Sequence, residues 1–112
     1  MFVCCPQEAS SPHNRAKRPW IVVFGHRPMY CSGKADHEAC QHERTRTGMF
    51  IGNHSVKFPG LEDLLYQHGV DLAFWAHEHN YERLWPTYNL TVFNGTQAPY
   101  NDPGAPVHIT TG

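Results

Sequence analysis

Two apolar stretches that each end in histidine constrain this chain more than any other feature. The segment 20–25 leads directly into His26, and the segment 70–76 leads into His77 and His79. Short apolar runs bounded in this way are consistent with buried β-strands. Histidine is the commonest protein metal ligand, so the pattern predicts one metal site assembled at the ends of two strands.

A short helix is expected between these two strands. Leucines recur at helical spacing after Pro59 and Gly60, and Gly69 is a natural stop. The order strand, helix, strand is a β-α-β unit, which normally pairs its strands in parallel. Two strands do not make a stable sheet alone, so we expect part of a larger α/β layer structure with exposed apolar edges.

The remaining segments carry weaker patterns. Residues 1–18 are polar and are expected to form a loose arm, with 19–112 as the folded portion. Residues 26–59 are expected to form a long loop, and loops of such length are usually functional or mobile. A strand pair is predicted over 82–94, and a further strand over 106–111.

Composition limits the classes of function. A formal net charge of -1 does not indicate the basic surface that nucleic-acid binding requires. No apolar run approaches the ~20 residues that span a bilayer, and the first residues do not form a convincing signal peptide. Nine histidines among 112 residues favour metal or proton chemistry. The sequence carries no signal for the oligomeric state.

Cysteine and asparagine patterns favour export from the cell. Cys31 and Cys40 flank a polar loop and are candidates for a disulfide, and the lack of Cys-x-x-Cys argues against a zinc finger. Glycosylation sequons begin at Asn53, Asn89 and Asn94. Together these features predict a secreted or lysosomal protein.

The segments around the histidines resemble the purple acid phosphatases, which belong to the calcineurin-like metallophosphoesterases. The shared motifs are Gly-His-Arg-Pro at 25–28 and Ala-His-Glu-His-Asn-Tyr-Glu-Arg at 76–83, in that order. The resemblance runs from about Asn14 to Gly112. It implies an α/β fold, namely the C-terminal part of a four-layer β-sandwich metallophosphoesterase domain flanked by helices, here incomplete.

The resemblance also implies an activity and a set of ligands. The family hydrolyses phosphate monoesters at a dinuclear centre of Fe with Zn, a second Fe or Mn, and such centres suit in-line displacement. His26 and His77 would bind the divalent metal, and His79 would bind the ferric iron. His37 and His42 would contact the phosphate or protonate the leaving alcohol.

Several ligands of the family pattern have no counterpart in this chain. The family places an Asp on its first strand, a Gly-Asp-x-x-Tyr motif and a Gly-Asn-His-Glu motif before the first histidine, and nothing before His26 supplies them. Two segments resemble parts of these motifs, namely Gly-Asn-His at 52–54 and Asp-Leu-Leu-Tyr at 63–66. Both follow His26, whereas the family motifs precede the first histidine. We therefore expect the C-terminal portion of a phosphatase, inactive or nearly so alone.

Two other functions compete with this interpretation. A non-catalytic, metal-binding short form would need only the histidines. A cupin-like protein would place a Glu four or five positions after the second His, whereas Glu82 is three positions after His79, and the predicted helix breaks an all-β pattern. Surface or packing roles are expected for His54, His68 and His108, and the same roles are favoured over phosphate contact for His37 and His42.

Overall fold

The computed structural model describes residues 6–33, 43–52, 56–95 and 97–112. It is a mixed α/β structure built around one four-stranded sheet and two hairpins. The elements in chain order are α1 (Pro6–Ala9), α2 (Pro12–Lys17), β1 (Val22–Gly25), α3 (Glu43–Thr47), β2 (Gly48–Ile51), β3 (Val56–Pro59), α4 (Glu62–Gln67), β4 (Leu72–Trp75), β5 (Tyr81–Arg83), β6 (Thr87–Tyr88), β7 (Thr91–Val92) and β8 (Val107–Thr111).

The sheet has the strand order β1-β4-β8-β5. Strands β1 and β8 each pair with β4 in parallel, and β5 pairs with β8 in the antiparallel direction. The register places Gly25 opposite Trp75 and Trp75 opposite Thr110. The parallel β-α-β unit expected from the sequence is therefore confirmed, with each strand slightly shorter than predicted.

The turn from α4 into β4 is fixed by Gly69 and Asp71. Gly69 has φ +59, a left-handed conformation that ends the helix at little cost only for glycine. The Asp71 carboxylate accepts hydrogen bonds from the Ile21 N–H and from Arg15 Nη1, each at 2.7 Å. Asp71 therefore joins the start of β4 to the residue before β1 and to α2.

The core lies on one face of the sheet. Ala73 and Trp75 point into it from β4, and they pack with residues of α4 and of the loop after β1. Val23 of β1 contributes from the same face. The buried members of this cluster are Met29, Tyr30, Leu65, Val70, Ala73 and Trp75.

The other face carries apolar side chains that are open to solvent in the described part of the chain. Phe24 is 72% exposed, and its ring stacks on Phe74 with centroids 5.4 Å apart. Val22 is also exposed, and β1 is the outer strand of the sheet. The expected open edge is therefore found at β1 in the described residues, but not at β4, which pairs with β1 on one side and with β8 on the other.

Two segments differ from the sequence-based expectation. The stretch 26–59 was expected to be a loop, but it contains α3 and the β2–β3 hairpin. Residues 6–17 lie within the expected loose arm, yet they form α1 and α2, the second capped by the Ser11 hydroxyl. These elements are four to six residues long, so they leave almost no periodicity to detect.

The strand pair expected over 82–94 is present in shorter form. β5 ends before Pro86, and β6 and β7 form a separate hairpin beyond it. Asn89 and Leu90 form its turn with φ of 48 and 59, the backbone of a type I′ turn. None of the described helices is long and apolar enough to cross a membrane.

A buried histidine joins β8 to β4 and β6. His108 is 1% exposed, its Nδ1 accepts a hydrogen bond from Trp75 Nε1 at 3.1 Å, and its Nε2 lies 3.3 Å from the Thr87 carbonyl oxygen. This pairing requires a neutral ring with its proton on Nε2. The packing role expected for His108 is thereby confirmed, and burial lowers its pKa from 6.5 to about 4.

We predict that the free energy of unfolding decreases as the pH falls from 6.5 to about 4, the window between the unfolded and folded pKa values of His108. In that window the unfolded chain binds the proton and the folded chain does not. The pKa difference corresponds to about 3 kcal/mol. Urea unfolding at several pH values measures the slope.

The variant His108→Gln should reduce that slope, because it removes the titrating group. The control His13→Ala, an exposed residue of α2, should leave the slope as in the parent chain. An equal slope in the parent chain and in His108→Gln would contradict the assignment.

Candidate metal site

His26 and His77 meet at the carboxyl ends of two adjacent parallel strands. His26 directly follows β1 and His77 follows β4 by two positions, so the parallel register brings them to the same edge of the sheet. His77 Nδ1 lies 3.1 Å from His26 Nε2, and the ring planes are inclined by 79°. His26 is exposed and His77 is half-buried, so the pair is accessible from solvent.

The separation of the two nitrogens suits a shared metal ion. Two imidazole nitrogens that each lie about 2.1 Å from one ion are about 3.0 to 3.4 Å apart, depending on the coordination angle. The observed 3.1 Å falls within that range. The His26–His77 pair therefore fits as two ligands of one ion.

The backbone at His77 is held in an unusual conformation. His77 has φ 68, which non-glycine residues seldom adopt. On one side the Ala76 N–H donates to the His26 carbonyl oxygen at 3.0 Å, and on the other the Glu78 N–H donates to the Ala76 carbonyl oxygen at 2.8 Å. Such outliers cluster at functional sites, because surrounding contacts must maintain them.

Gly25 and Trp75 set the strand ends beside the pair. Trp75 is 2% exposed, and its ring occupies the space where a Cβ on Gly25 would lie. The glycine directly before His26 thus allows the indole to pack against the β1 backbone. This contact fixes β1 relative to β4 one residue before His26 and two before His77.

The loop that leaves His26 is anchored by a buried carboxylate. Glu62, at the start of α4, is 6% exposed and accepts a hydrogen bond from the Tyr30 hydroxyl. Arg46 Nη1 donates to Glu62 Oε2 at 2.9 Å, and the Asn89 N–H donates to Oε1 at 2.9 Å. Burial raises the pKa of Glu62, the hydrogen bond from the Asn89 N–H opposes that rise, and the neighbouring Asp63 carboxylate adds to it.

The structure does not bring the third predicted ligand into the same cluster. His79 is exposed in the bend after β4. Within the described ranges, no group of three or more His, Cys, Asp or Glu side chains is arranged to hold a metal ion. The role of His79 stays a prediction, and the resemblance assigns it to a different metal from the His26–His77 pair.

The other predicted site residues are placed only in part. Cys31 is disulfide-bonded, whereas its predicted partner Cys40 lies outside the described residues. Asn89 and Asn94 are both exposed. Three further predicted residues also lie outside the described part of the chain, namely His37, His42 and Asn53.

A cavity of about 750 Å³ lies away from the histidine pair. Asp71 and Leu72, at the beginning of β4, line it together with Val107 at the beginning of β8. These positions are at the opposite end of the strands from His26 and His77, and neither histidine lines the cavity. The candidate site is therefore the exposed strand end rather than this cavity.

Sequence reasoning missed the residues that support the site. Gly25 stood within a recognised motif, yet nothing in the sequence pairs it with Trp75. His108 lies in a predicted strand. Only its place between the apolar residues Val107 and Ile109 could have indicated that it faces a core. Glu62 opens the predicted helix like any surface acid, so burial alone reveals its role.

We predict that Gly25→Ala destabilises the chain by about 1–3 kcal/mol, because the added methyl group overlaps the Trp75 ring. Gly95→Ala is the matched control, since a Cβ there meets nothing within 4 Å. Its effect should stay within about 0.5 kcal/mol. Urea unfolding followed by circular dichroism compares the two, and equal stabilities would contradict the packing argument.

Comparisons with known proteins bear on this site. The family model for calcineurin-like phosphoesterases matches residues 6–81, so the match begins before Asn14. Acid phosphatase type 7 from Danio rerio is 55% identical over 107 residues, which cover 95% of this chain and 24% of that protein. Acid phosphatase type 7 from Homo sapiens is 55% identical over 101 residues, covering 88% and 22%.

A solved structure supports the fold. A purple acid phosphatase from yellow lupin (Lupinus luteus) seeds superposes with a TM-score of 0.58 at 23% identity, covering 95% of this chain and 17% of that one. At this identity the likeness concerns the fold alone. The chain spans about a quarter of the length of the curated relatives it matches. The resemblance inferred from the histidine motifs and the partial metallophosphoesterase fold are both confirmed.

Proposed function

Because the chain belongs to the calcineurin-like phosphoesterase family, we propose that it supplies part of a dinuclear metal centre that hydrolyses phosphate monoesters. His26 and His77 would hold the divalent ion, which is Zn, Fe or Mn, and His79 would hold the ferric iron. His37 and His42 would contact the phosphate or protonate the leaving alcohol. The names of the relatives, which are acid phosphatases, support this substrate class.

The observation that carries the proposal is the convergence of two imidazoles at a strand end. Their ring nitrogens are 3.1 Å apart, and the backbone of His77 is held at φ 68. An accidental pair of surface histidines would not need a strained backbone to bring it together. The exposure of His26 leaves the site open to a substrate.

The residues of the chain have distinct parts in this chemistry. A dinuclear centre, when bound, activates a hydroxide and stabilises the leaving oxygen of a phosphate ester. His26 and His77 bring one ring nitrogen each to within 3.1 Å of the other, and Gly25 and Trp75 keep the strands that carry them in register. Tyr30 and Glu62 anchor the loop that follows His26.

We propose that these residues alone do not suffice for catalysis. The described part of the chain contains no cluster of three metal ligands, and the family motifs that would supply the others have no counterpart here. Two imidazoles bind a divalent ion weakly compared with the three or four ligands of a zinc enzyme. The 112-residue chain should therefore be inactive or nearly so by itself.

An oxidising compartment fits the same proposal. Cys31 is disulfide-bonded, and stable disulfides are typical of secreted proteins and of the export route. We propose that the protein is secreted or lysosomal, where an acid phosphatase would act. Cys40 is the proposed partner of Cys31.

A non-catalytic, metal-binding short form is the second candidate. The presence of a two-histidine pair without a third ligand in the described ranges favours it over independent catalysis. This second candidate predicts that the chain binds metal but does not contribute to phosphate hydrolysis, either alone or as part of a longer protein.

A chimera tests the first proposal against the second. Residues 19–112 replace the matching segment of Danio rerio acid phosphatase type 7, and phosphate release from p-nitrophenyl phosphate is measured after loading with iron and zinc. We expect activity in the chimera, because the remaining part of the relative would supply the missing ligands. We expect a loss of at least roughly a hundredfold with His77→Ala, since a metal ligand is removed.

The control for the chimera is His68→Ala, a histidine that directly follows α4 and is not part of the His26–His77 pair. This variant should retain the activity of the chimera. A folded chimera that binds metal but releases no phosphate would contradict the catalytic proposal and favour the short binding form.

The unmodified chain gives a separate test of the metal site. We predict that it binds Zn²⁺ in calorimetric titration, and that His26→Ala and His77→Ala each weaken binding by roughly tenfold or more. The exposed His13→Ala control should bind as the parent does. Equal binding by all four proteins would place the metal elsewhere and contradict the pair as its site.

A further inference from the structure

One of the three sequons is presented at the tip of a hairpin. Asn89 and Leu90 form the turn between β6 and β7, and Thr91 is the first residue of β7. All three residues are exposed. The complete Asn-Leu-Thr sequence is thus exposed at a two-residue hairpin turn.

The backbone of this turn is fixed by contacts that do not use the Asn89 side-chain amide. The Asn89 N–H donates to Glu62 Oε1 at 2.9 Å, and the Leu90 N–H donates to the Tyr30 hydroxyl at 3.4 Å. Asn89 has φ 48, a left-handed conformation that asparagine tolerates better than most residues. The turn is therefore held by buried partners while its surface stays accessible.

The other two sequons lack a comparable setting within the described residues. Asn53 lies outside them, and so does Thr96, the hydroxyl residue of the Asn94 sequon. The Cys31 disulfide adds an independent observation, because the compartment that forms disulfides is also the one that attaches N-glycans.

We propose that Asn89 carries an N-linked glycan. In this reaction Asn89 Nδ2 forms a bond to the anomeric carbon of a lipid-linked oligosaccharide. The bond from that carbon to the lipid pyrophosphate breaks, the pyrophosphate leaves with the electron pair, and the amide loses one proton. The modification lies beyond the phosphatase function proposed above and does not depend on it.

The surroundings of Asn89 indicate what the glycan does. Leu90 is 64% exposed and Val92 is 48% exposed, so the hairpin tip presents apolar surface to solvent. A hydrated oligosaccharide on the neighbouring Asn89 covers this surface. The glycan thereby reduces association between copies of the protein through their hairpins.

The test uses the full chain behind a cleavable secretion leader in animal cells. The secreted protein is treated with peptide-N-glycosidase in heavy-oxygen water, which converts each occupied asparagine into labelled aspartate, and peptides are sequenced by mass spectrometry. We expect the label at Asn89. A second acceptor sequon is appended after Gly112, and label at its asparagine shows that the oligosaccharyltransferase acted on the chain. Label at this appended asparagine without label at Asn89 would overturn the proposal.

Variants at Thr91 sharpen the result without disturbing the left-handed turn residue. Thr91→Val removes the hydroxyl that the transferase requires and keeps the branched shape suited to a strand. Thr91→Ser retains the sequon. We expect no label at Asn89 in Thr91→Val and a retained label in Thr91→Ser, and label in Thr91→Val would overturn assignment to this sequon.

Sedimentation tests separately whether the glycan covers the apolar hairpin surface. Thr91→Val should sediment as larger species at high concentration than the glycosylated parent does, and the double variant with Leu90→Ser should return to the sedimentation of the parent. Equal sedimentation of Thr91→Val and the parent would overturn the covering role. His77→Ala should be labelled at Asn89 like the parent, so failure of the metal site and failure of this proposal are distinguishable.

Discussion

The Trp75 side chain makes the contacts on which the rest of the arrangement depends. Its ring lies against the backbone of Gly25, its Nε1 donates to His108, and its burial joins the three parallel strands. Because β1 and β4 are held in register at this point, the residues that follow them emerge side by side. The close approach of His26 and His77 is therefore a consequence of core packing.

A second layer of support comes from buried polar groups that connect distant segments. Glu62 receives hydrogen bonds from Tyr30, Arg46 and Asn89, so one carboxylate joins the loop after β1, α3 and the β6–β7 hairpin to α4. Asp71 does the same for α2 and the strand starts. These junctions connect segments that lie far apart in the sequence, and they supply the hydrogen bonds that buried polar groups require.

The sequence predicted those features that depend on local pattern. The apolar runs before His26 and His77, the helix between them and the stop at Gly69 follow from periodicity and from glycine conformation, and they imply a parallel pair. The hairpin of β2 and β3 was not predicted, because four-residue strands with mostly exposed apolar residues resemble a loop. The neutral state of His108 depends on burial between strands far apart in sequence, which no local window contains.

The position of β1 has a consequence for the site itself. Among the residues that the structure describes, this strand is the outer strand of the sheet, and His26 directly follows it. A polypeptide that paired with its open edge would restrict the motion of β1 and hence of His26. If such pairing changed the affinity of the proposed metal site, metal binding would change the affinity for that polypeptide by the same factor. The sheet edge at β1 and the proposed metal site thus share one structural element, and a ligand at either place acts on the same strand.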